Sequence, residues 1–209
     1  MSTPGVAVPG SVVPSGSAVS PGGAQGIAGV AGPVGPSGGG GGGSGTLTMA
    51  VFQATDGQPP TSAYASFGTR NSGGLGVLQF IKTGNLDSSI VFPGVLPQGA
   101  TLTTGLQIIL FWTSATINTG NVEWQALIDN VNAHSIDTDS YGTGVSVITA
   151  APGTAAVMTS TTISLPNANL QSLAAEMPYK LLIKRRASDT TNDTMADIAS
   201  LFLVEVKSY

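Results

Sequence analysis

Few side chains in this sequence could perform chemistry, and their spacing narrows what that chemistry could be. His134 is the single histidine and the chain has no cysteine. With no second imidazole and no thiol to join it, His134 reads as a turn or surface residue rather than a base or a metal ligand. Asp137 and Asp139, with Ser140 and the earlier Asp129, carry the oxygen ligands calcium takes, but they lack the spacing and the closing bidentate Glu of an EF-hand loop. No metal and no cofactor are expected. Glycoside hydrolysis needs two carboxyl groups converging on a cleft, and Glu123, Glu176 and Glu205 are dispersed with nothing pairing them. Asp189, Asp193 and Asp197 recur every fourth residue near Lys184, Arg185 and Arg186. That pattern reads as a solvated loop with local ion pairs, each contributing roughly 0–1 kcal/mol. Tyr64, Tyr141 and Tyr179 with Trp112 could stack on sugar faces, yet Trp112 and Trp124 fall on inward strand faces. No catalytic residue emerges, and the chain is expected not to be an enzyme.

The composition limits the partners. Charged residues are 9% of the 209, with a net charge of −4, against roughly a quarter in ordinary soluble proteins. A surface so poor in charge is weakly defended against association, which points to burial in an oligomer. The sole basic run is Lys184–Arg185–Arg186, too small a footprint for a phosphate backbone, so nucleic acid is not an expected partner. No stretch approaches the roughly 18 apolar residues of a membrane span, and no basic residue precedes an apolar run near Met1. The expectation is a protein made in the cytosol without a signal peptide or membrane insertion.

Three segments follow one another. Residues 1–22 are uncharged and rich in Val, Pro, Gly and Ser, too poor in apolar bulk to form a core, and read as an extended anchor laid on another protein. Residues 23–45 form the second segment. There Gly23, Gly26, Gly29, Gly32, Gly35, Gly38 and Gly41 fall on every third position, with Pro33 and Pro36 directly after glycines. A collagen triple helix demands this period, because three polyproline-II strands meet on an axis where only a hydrogen atom fits. So short a run would not hold three chains unaided, so its register must come from a trimeric head. The six glycines Gly38–Gly43 read as a hinge.

From residue 46 to 209 the texture becomes β: short apolar or alternating runs separated by Gly, Pro, Asn and Asp. Strands are expected near 47–54, 62–68, 75–82, 88–92, 102–113, 121–131, 144–149, 155–165, 179–187 and 198–207, with one helical turn within 169–176. Strands without alternating helices indicate an all-β antiparallel sandwich, jelly-roll-like. Val122, Trp124, Ala126 and Ile128 alternate with Glu123, Gln125 and Asp129, giving one buried face. Leu106, Ile108, Leu110 and Trp112 fill one face of the preceding strand while Ile109 and Phe111 lie on the other. In the last strand Phe202, Val204 and Val206 oppose Leu201 and Leu203. A two-layer sandwich needs one apolar face per sheet, so Ile109, Phe111, Leu201 and Leu203 are assigned to a trimer interface.

Several runs resemble a widespread family of phage virion proteins and fibre C-terminal domains. They are Ala65–Asn71, Val91–Pro97, Gly120–Trp124 and Asp189–Ala196, spread over most of residues 62–207. The stretch Gln98–Gly105 is shorter than the family pattern. The resemblance implies a structural, trimeric jelly-roll-like head on a virion, with residues 1–22 attached to a capsid or a tail or baseplate protein. The alternative it implies is a receptor-binding fibre tip whose partner is a host surface glycan, and a polysaccharide depolymerase comes last.

Overall fold

The computed structural model describes residues 46–70, 74–82, 84–116 and 119–209. The anchor and the glycine-triplet segment expected before residue 46 lie outside the described residues.

The alternating segments form ten strands: β1 (Thr48–Gln53), β2 (Ser66–Arg70), β3 (Leu75–Phe80), β4 (Ser88–Val95), β5 (Gly105–Ser114), β6 (Asn121–Asn130), β7 (Val145–Ala150), β8 (Thr159–Pro166), β9 (Pro178–Arg185) and β10 (Ala199–Ser208). The expected boundaries move by a few residues, most at β2, β4 and β8. The anticipated helical turn is a 3-10 turn at Asn167–Asn169 followed by further turns, and no α-helix occurs among the described residues.

All ladders are antiparallel. One sheet runs β2-β3-β10-β5-β8, with β1 pairing β10 along the same edge as β3, and the other runs β4-β9-β6-β7. From β3 onward the chain crosses between the sheets so that β3-β10-β5-β8 faces β4-β9-β6-β7, the winding of a jelly roll. The core between them holds Phe80, Phe92, Leu110, Ile128, Ile163 and Leu181 around an edge-on pair of indoles, Trp112 and Trp124, with ring centres 5.6 Å apart. Phe80 meets Trp124 edge-on at 4.9 Å. Each such side chain contributes about 1.5–3 kcal/mol by leaving water. The polar tip of Trp112 is satisfied: its Nε1 donates to Thr161 Oγ1 at 2.9 Å, and that hydroxyl donates to Thr149 Oγ1 at 2.8 Å.

Two backbone features shape the first sheet. Gly105 opens β5 at φ +140°, where a Cβ would sit 2.0 Å from the Leu165 carbonyl oxygen, so only glycine lets β8 approach there. In β10 the pairing with β5 slips between Leu201, opposite Trp112, and Leu203, opposite Phe111. This bulge breaks the simple alternation. It sends Leu201 into the core at 1% exposure and leaves Phe202 and Leu203 half-buried. The assignment of Leu201 to an interface is therefore corrected: an added residue in β10 shifts the parity that strict alternation assumed.

Candidate functional site

Strand β10 spans the head. Its ten residues, at about 3.3 Å each, cover roughly 30 Å. At its Ser208 end the chain enters the domain: Leu47 N donates to Ser208 Oγ at 3.1 Å and Ser208 N to Leu47 O at 2.9 Å. At its Ala199 end, paired with Phe80 and Ser114, lie the connections that follow β3, β5 and β9.

A buried arginine organises that second end. Arg185 and Asp193 have fully buried side chains, joined through Nε–Oδ2 at 2.8 Å and Nη2–Oδ1 at 2.9 Å. Arg185 also donates to Phe80 O at 3.0 Å, Asp197 O at 2.6 Å and Met195 O, and Lys82 donates to Asp193 O. The 189–197 aspartates are thus not one solvated group. Burial works against ionisation of Asp197, but hydrogen bonds from the Thr116 hydroxyl at 2.7 Å, Ile198 N and Thr116 N outweigh it and hold the carboxyl below the usual range. Asp189 is lowered chiefly by the Asn192 N–H, in a turn it also caps at Thr191. Sequence reasoning missed the internal role of Asp193 because a charged residue in a polar loop carries no local mark of burial.

A second charged cluster lies at the β6–β7 connection. His134 Nε2 stands 2.5 Å from Asp129 Oδ1 and its Nδ1 lies 3.0 Å from Ser135 O. Both contacts are acceptors, Ser135 O first and Asp129 next in weight, and together they raise the imidazole's pKa above its ordinary 6.5. Lys180 bridges Asp129 at 3.7 Å and Asp139 at 2.9 Å. Asp137 does not join this cluster through an ion pair, and among the described residues no group of three acidic, His or Cys ligands is placed to hold a metal ion. Beside it, on the outward side of β4 and β9, lies a groove of about 570 Å³ lined by Val91, Pro93, Val95, Pro178, Ile136 and Lys180 among others. The one aromatic residue lining it is Tyr179, which is buried, so the groove offers no open ring face for a sugar.

The three glutamates stay apart. Glu123 is buried and pairs with Arg186 at 3.0 Å, Glu205 accepts from Thr48 Oγ1 at 2.7 Å and pairs with Lys207, and Glu176 sits in the β8–β9 connection. Of the aromatic residues considered for sugar stacking, Trp112, Trp124 and Tyr179 are core, and Tyr141 is half-buried with its hydroxyl enclosed. The open rings among the described residues are Tyr64 and Phe67, at 56% and 55% exposure. Ile109, Phe111 and Leu203 lie together on the outward side of the first sheet, half-buried within the isolated chain.

No protein-family model and no curated protein matches the chain. Among solved structures it is similar to an exo-β-1,3-galactanase from Phanerochaete chrysosporium, at 14% identity and a TM-score of 0.47, over 77% of this chain and 29% of that one. It is also similar to a xylan-binding module, at 13% identity and a TM-score of 0.42 over 77% and 97% of the two chains. A third similarity is to a mannan-recognising carbohydrate-binding module, at 8% identity and a TM-score of 0.41 over 79% and 100%. The chain spans under a third of the galactanase it matches.

Proposed function

We propose that this chain is a non-enzymatic structural subunit of a phage particle: a homotrimeric fibre or spike, anchored by residues 1–22 and displaying the jelly roll as its head. The observation that carries this is the succession of seven glycines at every third position, Gly23 to Gly41, and a head that receives its chain at one end while its tied-down connections lie at the other. Glycine triplets call for three chains, and a display head calls for loops fixed on a rigid scaffold away from its attachment. The runs that resemble phage virion proteins support assigning such a head to a phage. Deleting residues 1–22 should leave the purified protein trimeric by light scattering and remove it from assembled particles. Normal incorporation of the truncated chain would refute the anchor, and absence of the full-length chain from particles would refute the reading itself.

A second reading, a receptor-binding tip for a host surface glycan, is favoured by the exposed rings of Tyr64 and Phe67, since an open aromatic face suits sugar stacking. Tyr64→Ala and Phe67→Ala should each weaken adsorption of the purified head-bearing protein to host cells. Unchanged adsorption by both variants would remove this reading.

A further inference from the structure

We propose that the outward face of β1, β10, β5 and β8 is the surface by which three copies of this chain pack together, an inference that rests on the homotrimer reading above and names its interface. The register aligns this face in rows. Gln53, Leu203, Phe111 and Ser160 form one row, and Val51, Glu205, Ile109 and Thr162 form the next. Val51 is 51% exposed, and with Ile109, Phe111 and Leu203 it makes an apolar patch around the ion-paired Glu205, with the uncharged Gln53, Ser160 and Thr162 at its edges. Jelly rolls need apolar side chains between their sheets, not outside them, so this patch has no core to fill among the described residues.

Charge separates this face from the opposite one. Its charged side chains are already engaged: Glu205, between Val51 and Ile109, pairs with Lys207 at 3.1 Å, and beyond it on β2 Arg70 donates to Ser114 O at 2.7 Å and Ala115 O at 3.1 Å. The Thr48 hydroxyl and then Lys207 hold the Glu205 carboxyl below its usual range, so it stays ionised and paired. The outward side of the other sheet carries the half-buried Lys180 and Lys184 along β9, while Glu123 and Asp129 of β6 are already buried. Burying the second face would desolvate Lys180 and Lys184, whereas burying the first covers one existing ion pair and otherwise removes apolar and hydroxyl groups from water.

The absence of cysteine makes the test clean. Val51→Cys and Ile148→Cys each place one thiol at a comparably exposed site, 51% and 48%, on the first sheet and on the edge strand of the second. Full-length variants are treated with a short bismaleimide and read by denaturing gel, with mass measured beforehand by light scattering. The expected result is a trimer in both, with a covalent dimer band for Val51→Cys and none for Ile148→Cys. Phe111→Asp gives the second measurement: its mass should fall to one third with an unchanged far-ultraviolet circular dichroism spectrum. A trimer in which Ile148→Cys links as well as or better than Val51→Cys, or which persists in a folded Phe111→Asp, overturns this face and leaves the homotrimer standing. A monomeric wild-type chain overturns both.

Discussion

Asp193→Asn is the perturbation whose effect the structure fixes most narrowly. The substitution keeps the shape of the side chain but removes the only carboxylate bound to Arg185, a guanidinium with no solvent exposure that the Asp193 oxygens meet at 2.8 and 2.9 Å. Stranding one member of a buried pair costs about 3–5 kcal/mol. With a urea dependence of about 2 kcal/mol per molar, the unfolding midpoint should fall by about 2 M. A buried ion pair can often be replaced by apolar residues at little cost, but this one should resist replacement. The same guanidinium also serves the carbonyls of Phe80, Met195 and Asp197, and each buried carbonyl left without a donor costs about 1–3 kcal/mol. Arg185→Met combined with Asp193→Leu should therefore be no more stable than Asp193→Asn alone. Fluorescence of the buried Trp112 and Trp124 reports the transition, followed at one fixed protomer concentration so that assembly does not shift the midpoint. A loss under 1 kcal/mol for Asp193→Asn, or a double variant near wild type, would refute the view that Arg185 is the tie holding this end of the head.

Two further outcomes follow from single residues. Gly105→Ala must place a Cβ against the Leu165 carbonyl at a φ that disfavours side chains, so it should lower stability by about 2–4 kcal/mol in the same urea assay, whereas Gly153→Ala, with open space around it, should change little. The pKa of His134 is raised on folding by Ser135 O and Asp129, so its contribution to holding the β6–β7 connection is fully present below about pH 6.5 and is lost as pH rises through the higher folded value. Nuclear magnetic resonance titration should show that elevated pKa, with Asp129→Asn reducing it. Exchange of the Thr138 amide, bonded to Ser135 O at 3.0 Å, should quicken beyond its intrinsic rate over the same pH range. A titration at the ordinary value with flat protection would remove His134 from this role.

The strands were legible in the sequence because period-two alternation is a local property. Val122, Trp124, Ala126 and Ile128 had to share a face in any extended conformation, and burial of that face needed only a partner sheet. The paucity of charge and the three-residue glycine period were equally visible, since both are properties of composition and spacing alone. Other decisions belonged to the tertiary structure. The bulge in β10 that moves Leu201 inward depends on how β5 pairs across from it, and an extra residue in one strand leaves no signature in that strand's own pattern. Tyr179 looked open and is enclosed, because Gly94 of the neighbouring strand leaves room for its ring. Asp193 looked solvated and is sealed against Arg185, four strands and loops converging on a pair whose members stand eight residues apart. Alternation is written residue by residue along the chain, whereas which charge is buried and which apolar side chain is left facing water is settled only when segments distant in sequence compete for the same space.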